Sequence, residues 1–401
     1  MAAVIERESR DSRSTFAKIV NDERNRSIFY QILVFGTIGW VIWYLFSNTS
    51  ANLEARGMAS GFDFLGTSAG FDIAWSIIPY APTDNFGRVY LVGVTNTLMV
   101  SLLAIVLTTI LGFIIGVLRL SHNWLISTIA AWYVEIFRNT PLLLQILFWY
   151  TAVFSVLPRP KQSIDVGAMG IFQLNNRGLY FPEPQPGDLF WLTMLAILVA
   201  IATVYFLGIW AKRRQLATGE RFPVFWTSLG ILFGLPLLMY LVTGSPLEWS
   251  IPELKGFNFQ GGTKLPPAFL ALFLALVIYH ASYIAENVRA GILSVSHGQT
   301  EASSSLGLKP GWTLRLIIIP QAMRAIMPPL ISTWMTVVKN SSLAVAIGFP
   351  DLVSVFMQTS INIGGHAIEI VFMVMVFYSV VSLTISAAMN YYNERVQLKE
   401  R

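Results

Sequence analysis

Residues 90–118 read YLVGVTNTLMVSLLAIVLTTILGFIIGVL, without one charged side chain. The hydrocarbon core of a bilayer is about 30 Å thick and takes about 20 apolar residues of helix to cross. This run exceeds that length. It is also continuous, whereas a barrel strand alternates apolar and polar residues over about 10 positions. It therefore reads as a membrane-spanning helix. Comparable runs lie at about 28–46, 140–157, 188–210, 224–244, 267–286, 327–348 and 368–390. The expected fold is all-α, a polytopic membrane protein with about eight transmembrane helices.

Composition agrees. Of 401 residues, 54% are hydrophobic and 12% charged, with mean hydropathy +0.59. A soluble domain carries about 25% charged residues, so this chain lacks the polar surface a water-soluble globule needs. There is no cysteine, which excludes disulfides and thiolate chemistry. The net charge of +5 fits basic loops on one side of a membrane better than nucleic-acid binding.

The basic residues sort by loop. Before the first run stand Arg7, Arg10, Arg13, Lys18, Arg24 and Arg26. Lys212, Arg213, Arg214 and Arg221 follow the fourth run, and Arg289, Lys309, Arg315 and Arg324 follow the sixth. Arg395, Lys399 and Arg401 close the chain. Eight spans put all four groups on one face, which the positive-inside rule makes cytoplasmic. Loop 349–367 on the other face has neither Lys nor Arg. The expected layout is a cytoplasmic tail 1–27, an extra N-terminal span with external loop over 28–89, a transmembrane domain over 90–390, and a cytoplasmic tail 391–401. The first run is too long for a cleavable signal peptide and reads as a retained anchor, with cleavage near Ser50-Ala51 as the alternative.

Between the sixth and seventh runs, residues 287–326 are too polar to span and too regular for a slack loop. Ile284, Val288, Ile292 and Val295 recur at helical spacing. Gly307 is a helix stop, Lys309-Pro310-Gly311 a turn, and Trp312 to Ile319 a second amphipathic run. The pattern predicts two short helices joined by a tight turn, a rigid knob that moves as a body.

The seventh run holds Lys339 inside apolar sequence, followed by Asn340, Ser341 and Ser342. A central Lys costs about 2.5–3.5 kcal/mol on insertion scales. It faces a bundle interior or water-filled path, or it snorkels to an interface. Pro328 and Pro329 favour a broken helix, of the kind that builds transporter sites. A second polar cluster is Glu135, Arg138, Asn139 and Thr140, ended by Pro141. Glu135 and Arg138 are three apart and can pair on one helix face. Asn96 and Thr97 open the second run, where capping or interhelical hydrogen bonding competes with substrate contact.

The stretch E-A-S-S-S-L-G from Glu301 to Gly307, running on to Pro320, resembles the coupling loop of binding-protein-dependent ABC importers, E-A-A-x3-G-x9-I-x-L-P. Glu301, Ala302, Gly307, Ile317 and Pro320 match; Ser303 and Ile319 depart. G-V-T-N-T-L at Gly93–Leu98, Y-V-E-I-F-R-N-T-P at Tyr133–Pro141 and V-V-K-N-S-S-L at Val337–Leu343 are similar to permeases of the polar amino acid branch. Length and inserts resemble the long form found in general L-amino acid importers. The resemblance implies a type I permease core plus extra helices, including a pair inserted over 188–244. It implies a coupling loop that docks on an ATPase. It also implies a substrate pathway through Asn96, Thr97, Glu135, Arg138, Asn139, Thr140, Lys339, Asn340, Ser341 and Ser342. The implied partners are two ATP-binding subunits that use ATP and Mg, a second, related permease in a hetero-dimer, a periplasmic substrate-binding protein and an amino acid. The implied location is a bacterial inner membrane.

His122, His280, His297 and His366 show no ligand spacing, so no metal site is expected. No phosphate loop occurs, so this chain carries no ATPase of its own and binds no cofactor. Two rival readings remain: an ion-gradient-driven secondary transporter, which leaves the Glu301–Pro320 pattern unexplained, and an integral-membrane enzyme, which lacks catalytic spacing.

Overall fold

The computed structural model describes residues 23–55, 61–167 and 170–396. Residues 1–22 and 397–401 of the two expected tails lie outside it. Seven helices among the described residues are long and apolar enough to cross a membrane. They are α1 (Glu23–Ala55), α2 (Phe86–Leu118), α5 (Phe190–Thr218), α6 (Val224–Val242), α7 (Pro267–Leu293), α9 (Pro310–Ile347) and α11 (Ala367–Val396).

The span expected at 140–157 takes a different form. The helix there, α4 (Leu142–Phe154), is short and ends in a wide π turn. It follows α3 (Trp124–Asn139) across a break at Thr140-Pro141. Pro141 disfavours helical backbone at Thr140, which is extended at ψ 124°. Together the two pieces form one broken crossing that starts well before residue 140, so about eight helices cross in all. Hydropathy misplaced its start because Glu135 and Arg138 interrupt the apolar sequence of α3.

One helix near the knob, α9, differs from expectation in two ways. The second amphipathic run is no separate short helix: residues 310–319 open the long helix α9. Pro328 and Pro329 do not break it, since Ile319–Asn340 stays α-helical. Each proline removes a single donor, and a membrane helix absorbs that loss when neighbouring hydroxyls and local adjustments re-pair the backbone. The carbonyls that lose a donor are those of Arg324 and Ala325, one turn earlier. The distortion sits upstream instead, in a π turn over Leu314–Ile318 just before Pro320.

α7 is the centre of the bundle, with 67% of its apolar stretch buried. Its main partner is α2, on which Gly112 and Gly116 let the backbones close. A Cβ on Gly116 would sit 2.7 Å from the Ala285 carbonyl, and one on Gly112 would sit 2.6 Å from Ile284 Cβ. Thr108 Oγ1 donates to Val277 O at 3.1 Å across the same seam. Leu272, Ala275, Leu276 and Ala281 are wholly buried there. α9 packs on the other side of α7, and α11 on α9. Where α2 ends, Arg119 and Arg289 both bind the Glu286 carboxylate, tying the seam at that end.

At the opposite end sits β structure that the all-α expectation omitted. Residues 164–186 and 247–265 form eight short strands. β1 (Ile164–Asp165), β2 (Gln173–Asn175), β3 (Gly178–Phe181) and β8 (Thr263–Leu265) make one antiparallel sheet. β4 (Glu183–Pro186) pairs with β5 (Leu247–Ser250), and β6 (Glu253–Lys255) with β7 (Asn258–Gln260). Glycines at tight turns, such as Gly178 and Gly256, were the available signal. Leu174 and Leu265 pack this cap against the main core. The hairpin α5–α6 leaves and rejoins it where Gly187 N donates to Pro246 O at 2.9 Å.

Candidate functional site

Two places are candidates for the functional site: the knob at one end of the bundle and a polar cavity between α7 and α9. The knob is α8 (His297–Ser305). Gly307 has φ +74°, as a left-handed helix stop requires. Gly307 N donates to Ser304 O at 2.9 Å and Leu308 N to Ser303 O at 3.1 Å, a Schellman closure. Pro310 then opens α9 at a position where its missing N–H costs nothing.

Ser303, one of the two departures from the coupling-loop pattern, has a structural part. Its hydroxyl meets Thr313 Oγ1 at 2.9 Å, with both side chains buried. This bond pins α8 to the first turn of α9. Outward, the knob exposes Glu301, Ala302, Gly307 and Pro320, while Ile317 is half-buried. Leu306 is 80% exposed, an apolar residue in the open on an otherwise polar element. Glu301 Oε1 lies 3.0 Å from His297 Nδ1.

The cavity, about 280 Å³, is lined by Tyr279, His280 and Tyr283 of α7 and by Ser332, Thr333, Thr336 and Asn340 of α9. The α9 residues recur every four positions or so, which puts them on one helix face. That spacing was visible in the sequence, as was the Tyr279–Tyr283 step, yet only Asn340 was expected here. Asn340 Nδ2 lies 3.2 Å from His280 Nε2, and His280 Nδ1 lies 2.9 Å from Leu276 O. Tyr279 and Tyr283 share a hydroxyl bond of 2.9 Å.

The other expected pathway residues scatter. Lys339 turns to the far side of α9, into a separate pocket of about 380 Å³ with Tyr378, Ser379, Ser382 and Leu383. It makes no ion pair among the described residues. Ser341 is buried and bonds Val338 O; Ser342 bonds Lys339 O. Glu135 and Arg138 do not pair: Glu135 accepts from Asn139 at 3.3 Å, and Arg138 stacks 5.0 Å from the Tyr283 ring centroid. Thr140 caps its own helix by bonding Ile136 O. Arg138 therefore reaches the rim of the cavity through Tyr283.

Asn96 and Thr97 are fully buried and clasp backbone. Asn96 donates to Pro350 O and Trp75 O and accepts from Ile77 N. Thr97 accepts from Leu352 N at 3.0 Å. Both hold the turn before α10 (Leu352–Gly364) against α2. Among the described residues, no three His, Asp or Glu side chains gather as metal ligands do.

Comparison with known proteins adds the family. The family described as "Binding-protein-dependent transport system inner membrane component" matches residues 213–398, which include the knob and the cavity. YhdX of Escherichia coli, provisionally named an amino-acid ABC transporter permease, is 48% identical over 94% of this chain and 95% of its own length. The general L-amino acid transport system permease AapQ of Rhizobium johnstonii is 45% identical over 96% of each chain. The glutamate/glutamine/aspartate/asparagine transport permease BztB of Rhodobacter capsulatus is 42% identical, again over 96% of each.

Proposed function

This chain belongs to the family of binding-protein-dependent transport system inner membrane components, and from that membership we propose that it is the membrane-spanning permease of an ATP-driven importer of amino acids. The observation that carries the mechanism is the knob. A helix pinned by the Ser303–Thr313 bond and closed at Gly307 is stiff enough to transmit a push into α9. Its exposed Glu301 and Leu306 suit a groove on a partner that joins a basic residue to an apolar floor. That partner is an ATP-binding subunit, present twice, which binds ATP and Mg. The force enters at the start of α9, the helix that also lines the cavity.

A second, related permease completes the pathway, and an external binding protein delivers the cargo. ATP biases the pathway only by binding one of its two states more tightly than the other. The knob face is cytoplasmic, with both termini, because Lys212, Arg213, Arg214, Arg221, Lys309 and Arg315 gather there. The likeness of long relatives named for general and acidic or amide amino acids supports the substrate class.

Uptake of labelled amino acids into right-side-out vesicles, loaded with or without ATP and supplied with the binding protein outside, tests this. Import should need ATP, survive collapse of the ion gradients, and bring an ATP-binding protein along when the chain is purified from its native membrane. Uptake that ends with the gradients and continues without ATP would replace the reading with a secondary transporter.

A further inference from the structure

The hydrogen bonds around the α7–α9 cavity are lopsided. On α9, each hydroxyl spends its single proton on its own helix. Ser332 donates to Pro328 O, Thr333 to Pro329 O and Thr336 to Ser332 O. Only lone pairs remain on those oxygens. Among the described residues, no Lys, Arg, Asp or Glu lines the cavity.

His280 extends the same bias to Asn340. The Leu276 carbonyl can only accept, so His280 Nδ1 carries the proton facing it. Nε2 of the neutral ring is then an acceptor. The group it faces at 3.2 Å is the Asn340 amide nitrogen, which donates to it. One of the two N–H donors of Asn340 is then committed, and its carbonyl oxygen stays available as a further acceptor. The Tyr279–Tyr283 pair keeps one uncommitted O–H, and its two rings add electron-rich faces. An acceptor-rich hollow with aromatic walls suits a small group that has only donors. An ammonium has three N–H donors and no acceptor.

We infer that the cavity seats the primary ammonium group of the cargo, and that His280 is the positioning residue that turns the Asn340 carbonyl toward it. The inference rests on the importer reading and deepens it. Recognition then falls on the end that all amino acids share. Arg138, stacked on Tyr283, supplies a guanidinium for the neighbouring carboxylate. Side chains are left to open space, which fits broad cargo. His280 touches no cargo atom; it fixes which end of an amide does.

The test is equilibrium binding of labelled L-glutamate to the purified complex without its binding protein. The competitor is 2-hydroxyglutarate, the same skeleton with a hydroxyl in place of the ammonium. Glutamate should bind about 10- to 100-fold tighter than the hydroxy acid, the range for hydrogen bonds to a charged group. His280→Phe frees the Asn340 amide to rotate and should weaken glutamate about tenfold while narrowing that preference. Adding Asn340→Asp should restore both, because a carboxylate accepts in either orientation. Membrane content and co-purified ATP-binding subunits report that the variants fold. Equal competition by 2-hydroxyglutarate, or a His280→Phe loss that the added Asn340→Asp does not restore, overturns the inference and leaves the importer standing. A parent complex with no ATP-dependent uptake takes both down.

Discussion

The α2–α7 seam and the α5–α6 hairpin are made from the same kind of sequence, and they pack in opposite ways. All four helices are apolar enough to span. In the seam, 67% of the α7 stretch is buried, whereas none of the α6 stretch is. The glycines mark the contrast. Gly112 and Gly116 sit against the α7 backbone, whereas Gly208, Gly230 and Gly234 have nothing within 4 Å of where a Cβ would stand. Lipid tails are as apolar as leucine, so apolarity cannot pull two spans together in a bilayer. Close backbone approach and polar pins such as Thr108 to Val277 O do that instead.

That contrast is breakable. The largest effect should come from Gly116→Val, which drives a branched side chain into the Ala285 carbonyl and Val288. Overpacking of this kind costs about 3 kcal/mol, and thermal aggregation of the detergent-purified protein should shift sharply downward. Gly234→Val on the hairpin should stay within about 0.5 kcal/mol. Equal losses would mean that a partner covers the hairpin and that the two regions are alike after all.

Thr97→Val should come next. It leaves the Leu352 N–H without its acceptor in a buried place, a loss of about 1–3 kcal/mol. The same melting measurement reads it, and a change near zero would return Thr97 to the pathway as a residue the fold does not need. Gly307→Val strains a left-handed turn by about 1–2 kcal/mol. It meets nothing sterically, so the strain stays in the knob and the melting temperature should fall less than for Gly116→Val. Capture of the ATP-binding subunit should fall about tenfold, and a variant that captures it as the parent does would unseat the knob as the coupling element.

The smallest effect should be the boldest change. Because Gly187 and Pro246 already touch, residues 188–245 can be replaced by a short Gly-Ser link. The remaining bundle should fold with a melting temperature within a few degrees of the parent. Collapse of the truncated protein would show that the hairpin belongs to the core.

The sequence announced what local physics controls. Continuous apolar runs located seven of the helices, and Gly307 with Pro310 located the knob's turn. It hid what depends on distant partners. The broken α3–α4 crossing was misplaced because Glu135 and Arg138 interrupt its apolar sequence; the ring that Arg138 stacks on, Tyr283, lies on another helix. The cap was missed because its strands are two to four residues long, shorter than any alternation can be read. Polar residues at 332, 336 and 340 shared a visible face, but the bond from Asn340 to His280 joins residues 60 apart and leaves no local trace.

The clasp between β3 and β8 sets an order of events during synthesis. Tyr180 leaves the ribosome early, and its partner Lys264 emerges only after the whole hairpin has been made. The four-stranded sheet of the cap therefore cannot be completed until residues 188–245 have been synthesised. In this cysteine-free chain, a cysteine pair at 180 and 264 makes the moment visible: stalled nascent chains should crosslink only once residue 264 has cleared the exit tunnel.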